Sequence, residues 1–195
     1  DSIASELGIR LEVGKISGSY ITTFEMTNVA TLKPAPVGPL VSMEWRRLSV
    51  SYNLFSLFRG LNGLLADATI ELDGARLIFD FSPKDHTAIT PVETGPPQPF
   101  FLPEILPRID IQDTSVSFRG SGYETAFKGI ELEARHSHGK LSTIALSIAE
   151  CSWLHPDLQN GKMPLSAEID YSAEKITARR VMTGGKELAE FVQIG

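Results

Sequence analysis

The stretch Ile70-Glu71-Leu72-Asp73-Gly74-Ala75-Arg76-Leu77-Ile78-Phe79 decides the fold reading. Its first half sets apolar side chains at alternate positions, Ile70 and Leu72, with a carboxylate between them. A period of two marks a strand with one buried and one wet face. The second half keeps the period but moves the apolar set from even to odd positions, at Leu77 and Phe79. A straight strand that did this would turn half of its apolar side chains to the wrong face. One inserted residue, a β-bulge, restores the face and bends the strand. A tight hairpin at Asp73-Gly74 is the alternative.

The segment Ile109-Asp110-Ile111-Gln112-Asp113-Thr114-Ser115-Val116-Ser117-Phe118 poses the same question, its apolar set moving from odd to even between Ile111 and Val116. The two segments share the pattern apolar-x-apolar-x-x-small-x-apolar-x-Phe. Gln112-Asp113 would make a poor type I′ turn, so the bulge serves both segments better. Bulged, bent strands suit a strongly curved sheet. The internal echo points to an extended, repetitive sheet architecture.

Alternation continues on both sides. It is found at Leu7, Ile9, Leu11 and Val13, at Met43 and Trp45, and at Leu48, Val50 and Tyr52. It returns at Ile130 and Leu132, at Ile144, Leu146 and Ile148, and most regularly from Met163 to Tyr171. The chain therefore reads as all-β: a curved, bulged antiparallel sheet or groove. One short helix is expected over 53–60, with Asn53 as N-cap and Gly60 as stop. Leu54, Leu57, Phe58 and Leu61 would share its apolar face and pack over one end of the sheet. The tail from Lys186 to Phe191 fits a helix or a strand. Seven prolines between 83 and 107 exclude regular structure there. That stretch reads as an exposed loop joining two sheet segments, with Phe100, Phe101 and Leu102 as a hydrophobic anchor.

The 195 residues suit a single β-rich segment, expected from its start at Asp1 to be a piece of a larger protein. A net charge of -6 and only two adjacent basic pairs, Arg46-Arg47 and Arg179-Arg180, leave no nucleic-acid footprint. The same balance argues against strong attraction to anionic lipid surfaces. The most apolar run, 53–65, is interrupted by Arg59, Asn62 and Gly63 and is too short to span a bilayer.

Catalytic constellations are not visible, and no enzyme activity or cofactor is expected. The single cysteine, Cys151, reads as a small buried hydrophobe. His155-Pro156-Asp157 reads as a turn. His136 and His138 share a strand face but lack a third ligand, so no metal site is expected. Glu44, Glu71, Asp80, Asp110, Glu131, Glu168 and Asp170 each stand singly between apolar residues, on the solvent face of an alternating strand. Gly184-Gly185-Lys186 lacks the spacing of a phosphate loop and reads as a turn.

Several stretches resemble the AsmA/TamB-like family. Leu7 to Ser19, with Gly14-Lys15-Ile16-Ser17-Gly18-Ser19, resembles the short strand and turn that follow that family's membrane anchor. Phe24-Glu25-Met26-Thr27-Asn28-Val29 is similar to the next strand. Ser42 to Tyr52, continuing through Leu57-Phe58-Arg59-Gly60, resembles its strand-then-short-helix step. Ile70 to Phe79, and Leu106-Pro107-Arg108-Ile109-Asp110-Ile111 onward, resemble its recurrent strand units. The likeness covers most of 7–120. The proline-rich insert departs from it.

The resemblance implies a periplasmic protein anchored to the inner membrane of a Gram-negative bacterium by a segment outside this chain. It implies bridge-like lipid transport or outer-membrane biogenesis. The partners would be a phospholipid or other acyl-chain lipid and, for TamB-like members, an outer-membrane barrel protein. The residues expected to line the lipid-facing surface are Ile70, Leu72, Leu77, Phe79, Ile109, Ile111, Val116, Phe118, Ile144, Leu146 and Ile148. The other architecture open to these residues is a closed β-sandwich serving as a structural or protein-binding module, with all apolar side chains in a dry core.

Overall fold

The computed structural model describes residues 11–19, 21–32, 39–82, 105–136, 142–172 and 175–194. The alternation at Leu7 and Ile9, the loop over 83–104, His138 and the Gly139-Lys140 turn lie outside the described residues. Among the described residues the chain is all-β with two short helices. Its strands are β1 (Leu11–Ser19), β2 (Thr23–Thr31), β3 (Leu40–Ser51), β4 (Thr69–Asp73), β5 (Arg76–Asp80) and β6 (Arg108–Gly120). They continue as β7 (Tyr123–His136), β8 (Ser142–His155), β9 (Leu158–Ser172), β10 (Lys175–Thr183) and β11 (Lys186–Ile194). The undecided tail is thus a strand. It pairs with β10 across the turn at Gly184 and Gly185, whose φ values of 52° and 78° suit a type I′ hairpin.

All eleven strands form one sheet in the order β1-β2-β3-β4-β6-β7-β8-β9-β10-β11, with β5 also between β3 and β6. Among the described residues the order does not close on itself, so β1 and β11 are its edges. One expectation needs correction: the sheet is mixed, not wholly antiparallel. Both β4 and β5 run parallel to β6, whereas every other neighbouring pair is antiparallel. Parallel neighbours cannot be joined by a hairpin and need a long crossover. The connection between β5 and β6, with its prolines, has that length.

The parity switch has a collective cause. β4 and β5 are two halves of one bent strand. Arg47 stands opposite Asp73 and Glu44 opposite Arg76, at one unbroken offset along β3. Asp73 lies beside Gln112 and Arg76 beside Ser115, again at one offset along β6. A hairpin at Asp73-Gly74 would have folded β5 back on β4, and it does not. Gly74, at φ 64°, supplies the bend instead.

Other strands bend on the same line. Asn28 in β2, Asp113 in β6 and Gly129 in β7 have φ of 53°, 46° and 60°. Asn28 falls between the pairs Thr27–Arg47 and Val29–Trp45, and so faces Arg46. Arg46 lies over Gly74, where a Cβ would come 2.1 Å from its Nε. The Gly74 N–H donates to the Gln112 carbonyl at 3.1 Å. The register of β7 slips against β6 around Thr114, and that of β8 slips against β9 between Ile148 and Cys151. Asn, Asp and Gly are the residues that enter the left-handed region at least cost. Their alignment makes a transverse crease, with the strand halves continuing on either side.

The expected helix is present as a 3₁₀ helix, Leu54–Arg59, capped by the Asn53 side chain, which accepts from the Phe55 N–H at 3.1 Å. Gly60 follows at φ 81° and leads into an unforeseen helix α1, Leu61–Asp67. The packing expectation was inverted. Leu54, Leu57, Phe58 and Leu61 are exposed rather than packed over the sheet. The buried residue of the 3₁₀ helix is Ser56. Its hydroxyl donates to the Asp67 carboxylate and accepts from Arg59 at 2.8 Å, while Arg59 also pairs with Asp67. A polar network joins the two helices, and the oily side faces out.

Candidate functional site: the apolar sheet face

Residues opposite one another in a sheet share a face. The register therefore says which expected residues meet. Next to the helices, one row runs Phe24, Val50, Ile70, Ile109, Ala134, Ile144, Ile169, Ala178. The next runs Met26, Leu48, Leu72, Ile111, Leu132, Leu146, Ala167. Beyond the crease a third row runs Met43, Leu77, Val116, Phe127, Cys151, Met163, and a fourth runs Leu40, Phe79, Phe118, Thr125, Trp153. All eleven expected residues fall on these rows or, for Ile148, on the crease line beside Ile130 and Leu165. The bulge expected in the Ile70–Phe79 strand is not present: its register against β3 and β6 runs unbroken through Gly74, and the left-handed Gly74, not an inserted residue, carries its parity switch.

The two halves differ in kind. The half beside the helices is almost wholly aliphatic. The far half carries rings: Phe79 stacks on Phe118 at 5.2 Å between centroids, and Phe118 meets Phe127 edge-on at 6.3 Å. Trp45 lies close to the crease, and its buried indole N–H has no partner.

Burial separates the two architectures considered above. A sandwich core would bury the inward side chains fully. Among the eleven expected residues only Ile148 is buried; the others are half-buried. Buried apolar residues elsewhere are mostly small or lie near the crease: Val29, Ala75, Ala126, Ala134 and Cys151. No residue of α1 is buried, so neither helix nor a second layer of strands seals the face among the described residues.

Several face residues were missed from sequence. Leu48, Val50, Leu132 and Ile169 belong to the same rows, and Ile130 to the crease line. Their alternation was visible, but single strands give no register. Phe24, Met26 and Phe127 had weaker signals, because Asn28 and Gly129 interrupt their strands.

The opposite face is polar and cross-linked by ion pairs. Arg46 bridges Asp73 and Asp113 across the crease, at 2.8 Å each. Arg47 reaches Glu25 at 3.1 Å and Glu71 at 3.6 Å, Arg76 reaches Glu44 at 3.4 Å, and Arg180 reaches Glu168 at 3.2 Å. Asp170 pairs with Arg179. Lys128 at 3.0 Å and Lys162 at 3.6 Å hold the Glu150 carboxyl below its usual value, the Lys128 hydrogen bond acting most strongly. Several of the singly placed carboxylates thus stand on the solvent face beside cations.

Asp110, Glu131 and Glu133 line one open hollow of 490 Å³ on that polar face. Gln112 donates to Asp110 at 3.1 Å. Among the described residues, no group of three or more His, Cys, Asp or Glu side chains is placed to hold a metal ion. His136 ends β7. Cys151 is buried, and burial pushes its thiol pKa up, away from the thiolate a nucleophile needs. Among the described residues no helix is long and apolar enough to cross a membrane. Comparison with protein-family models, with curated proteins and with solved structures finds no match to this chain.

Proposed function

We propose that this chain is a non-enzymatic segment of an envelope-biogenesis protein of the AsmA/TamB-like kind, whose apolar sheet face carries acyl-chain lipid. In this reading it works in the periplasm of a Gram-negative bacterium, tethered to the inner membrane by an anchor outside the segment. The observation that carries the proposal is the continuity of apolar rows across the sheet together with their incomplete burial. Large contiguous apolar surfaces left in water are costly and mark interaction sites. An acyl chain laid along these rows gains about 0.8 kcal/mol per methylene buried. At least about five methylenes are needed to offset the ~4 kcal/mol lower bound for the lost freedom of association. A fatty-acyl tail has more than that.

Assistance to outer-membrane protein assembly is the second reading, and one feature favours it. Among the described residues both β1 and β11 are sheet edges, and an unpaired edge is a template for an incoming strand. Native mass spectrometry of the purified chain tests the first reading. Phospholipid-sized adducts, displaced by a fluorescent fatty acid, are expected. A bare chain that takes up no fatty acid refutes it.

A further inference from the structure

The end of the sheet that carries the helices has a chemistry that the apolar face does not need. The 3₁₀ helix and the start of α1 turn Leu54, Phe55, Leu57, Phe58 and Leu61 outward, with Phe58 90% and Phe55 68% exposed. Ile21, in the β1–β2 turn, adds an exposed side chain beside them, its carbonyl accepting from the Leu54 N–H at 3.3 Å. The arrangement is held from behind. Ser56, Arg59 and Asp67 join the helices on their inner side, and the Tyr52 N–H donates to the Thr22 carbonyl at 2.7 Å. The same end bears arginines. Arg108 and Arg135 border a hollow with Asp67, Arg135 is paired with Glu133 at 2.5 Å, and the Arg108 N–H donates to the Ala68 carbonyl at 3.0 Å. The Arg108 guanidinium has no ion pair among the described residues.

We infer that this helical end docks on a phospholipid bilayer surface, its Phe and Leu side chains entering the headgroup boundary and Arg108 meeting a lipid phosphate. Three features favour a bilayer over a protein partner. The apolar residues form a projection rather than a groove. They number six, against the roughly 20–30 residues that a stable protein interface takes from each side. The pairing of an aromatic-aliphatic tip with arginines behind it is the composition of interfacial segments. Because the whole chain is acidic, apolar insertion is the main term and electrostatics the smaller one. This surface is distinct from the sheet rows, so the inference does not rest on the acyl-carrying reading.

The test is co-sedimentation of the full chain with vesicles of phosphatidylcholine, with and without phosphatidylglycerol. The wild-type chain is expected to sediment with both, more strongly with the second. The double variant F55S/F58S should lose partitioning about tenfold or more while keeping its circular dichroism and its uptake of fluorescent fatty acid in solution. R108E should weaken binding mainly to the phosphatidylglycerol vesicles. Undiminished sedimentation of F55S/F58S, or no sedimentation of the wild type, overturns the inference. So does a dimer in solution that F55S/F58S dissolves, because the patch then belongs to a second copy.

Discussion

The two halves of the apolar face, on either side of the crease, solve the same problem with different side chains. The half beside the helices presents rows of Ile, Leu and Val, branched and without polar atoms. The far half presents Phe118 in ring contact with both Phe79 and Phe127, with Trp153 in the same row as Phe79 and Phe118. Rings that stack on one another satisfy part of their own surface. Aliphatic rows on a single sheet have only their neighbours, and the remainder stays available. The comparison teaches that the aliphatic half is the better bed for an acyl chain, and the aromatic half the better internal support for the bend.

The largest effect on that arrangement should come from the crease. Gly74→Val places a β-branched side chain at φ 64° and against the Arg46 guanidinium. The left-handed backbone alone costs about 1–2 kcal/mol, and the displaced Arg46 adds to it. Urea unfolding should show a clear loss of stability, larger than for Gly184→Ala in the exposed hairpin. Equal losses would mean that the crease is not a special position.

Next in size are variants that separate the two halves by function. Leu132→Asp, in the middle of the aliphatic rows, should lower fatty-acid uptake about tenfold or more, since a carboxylate there removes apolar contact and resists burial. Phe118→Ala should instead act on stability, by about 1–2 kcal/mol, from lost ring contacts and partial burial. Thermal unfolding and fatty-acid titration on both variants give the contrast. Reversed effects would exchange the roles assigned to the halves.

A smaller effect is expected from the helical end on acidification. The Ser56 hydroxyl, followed by Arg59, holds the Asp67 carboxyl below its ordinary value of 3.8. A carboxylate whose pKa is depressed on folding contributes stability above its unfolded pKa and loses it as pH falls through the folded one. The helical pair should therefore loosen only below about pH 4, and Asp67→Asn should loosen it at neutral pH. Amide exchange at Leu64 and Leu65 reads both. Arg46→Ala should have the smallest effect, because exposed ion pairs contribute about 0–1 kcal/mol each.

How much of this was legible in the sequence follows from what is local. Alternation at Ile70–Leu72 and Leu77–Phe79 carried the strands, and the shared parity switch carried the bend though not its form, because both depend on residues within one strand, whereas a bulge is defined against a neighbour. The parallel placement of β6 was not legible, since it depends on a crossover and leaves no mark on β4 or β6. Neither was the register that brings Ile130 and Leu132 beside Ile148 and Leu146. The helix at 54–59 was visible from Asn53 and Gly60, yet its orientation was misjudged. An apolar stripe says which side chains cluster, and the Ser56–Asp67 contact that turned the stripe outward joins residues eleven positions apart.

The central claim is that the aliphatic rows lie open to an acyl chain. Photocrosslinking with a diazirine-bearing fatty acid, followed by peptide mapping, tests it most directly. The account predicts adducts on Leu72, Ile111, Leu132 and Leu146. Adducts confined to the polar face, at Ala145, Ser147 or Glu131, or none at any lipid concentration that saturates a control lipid carrier, would contradict it.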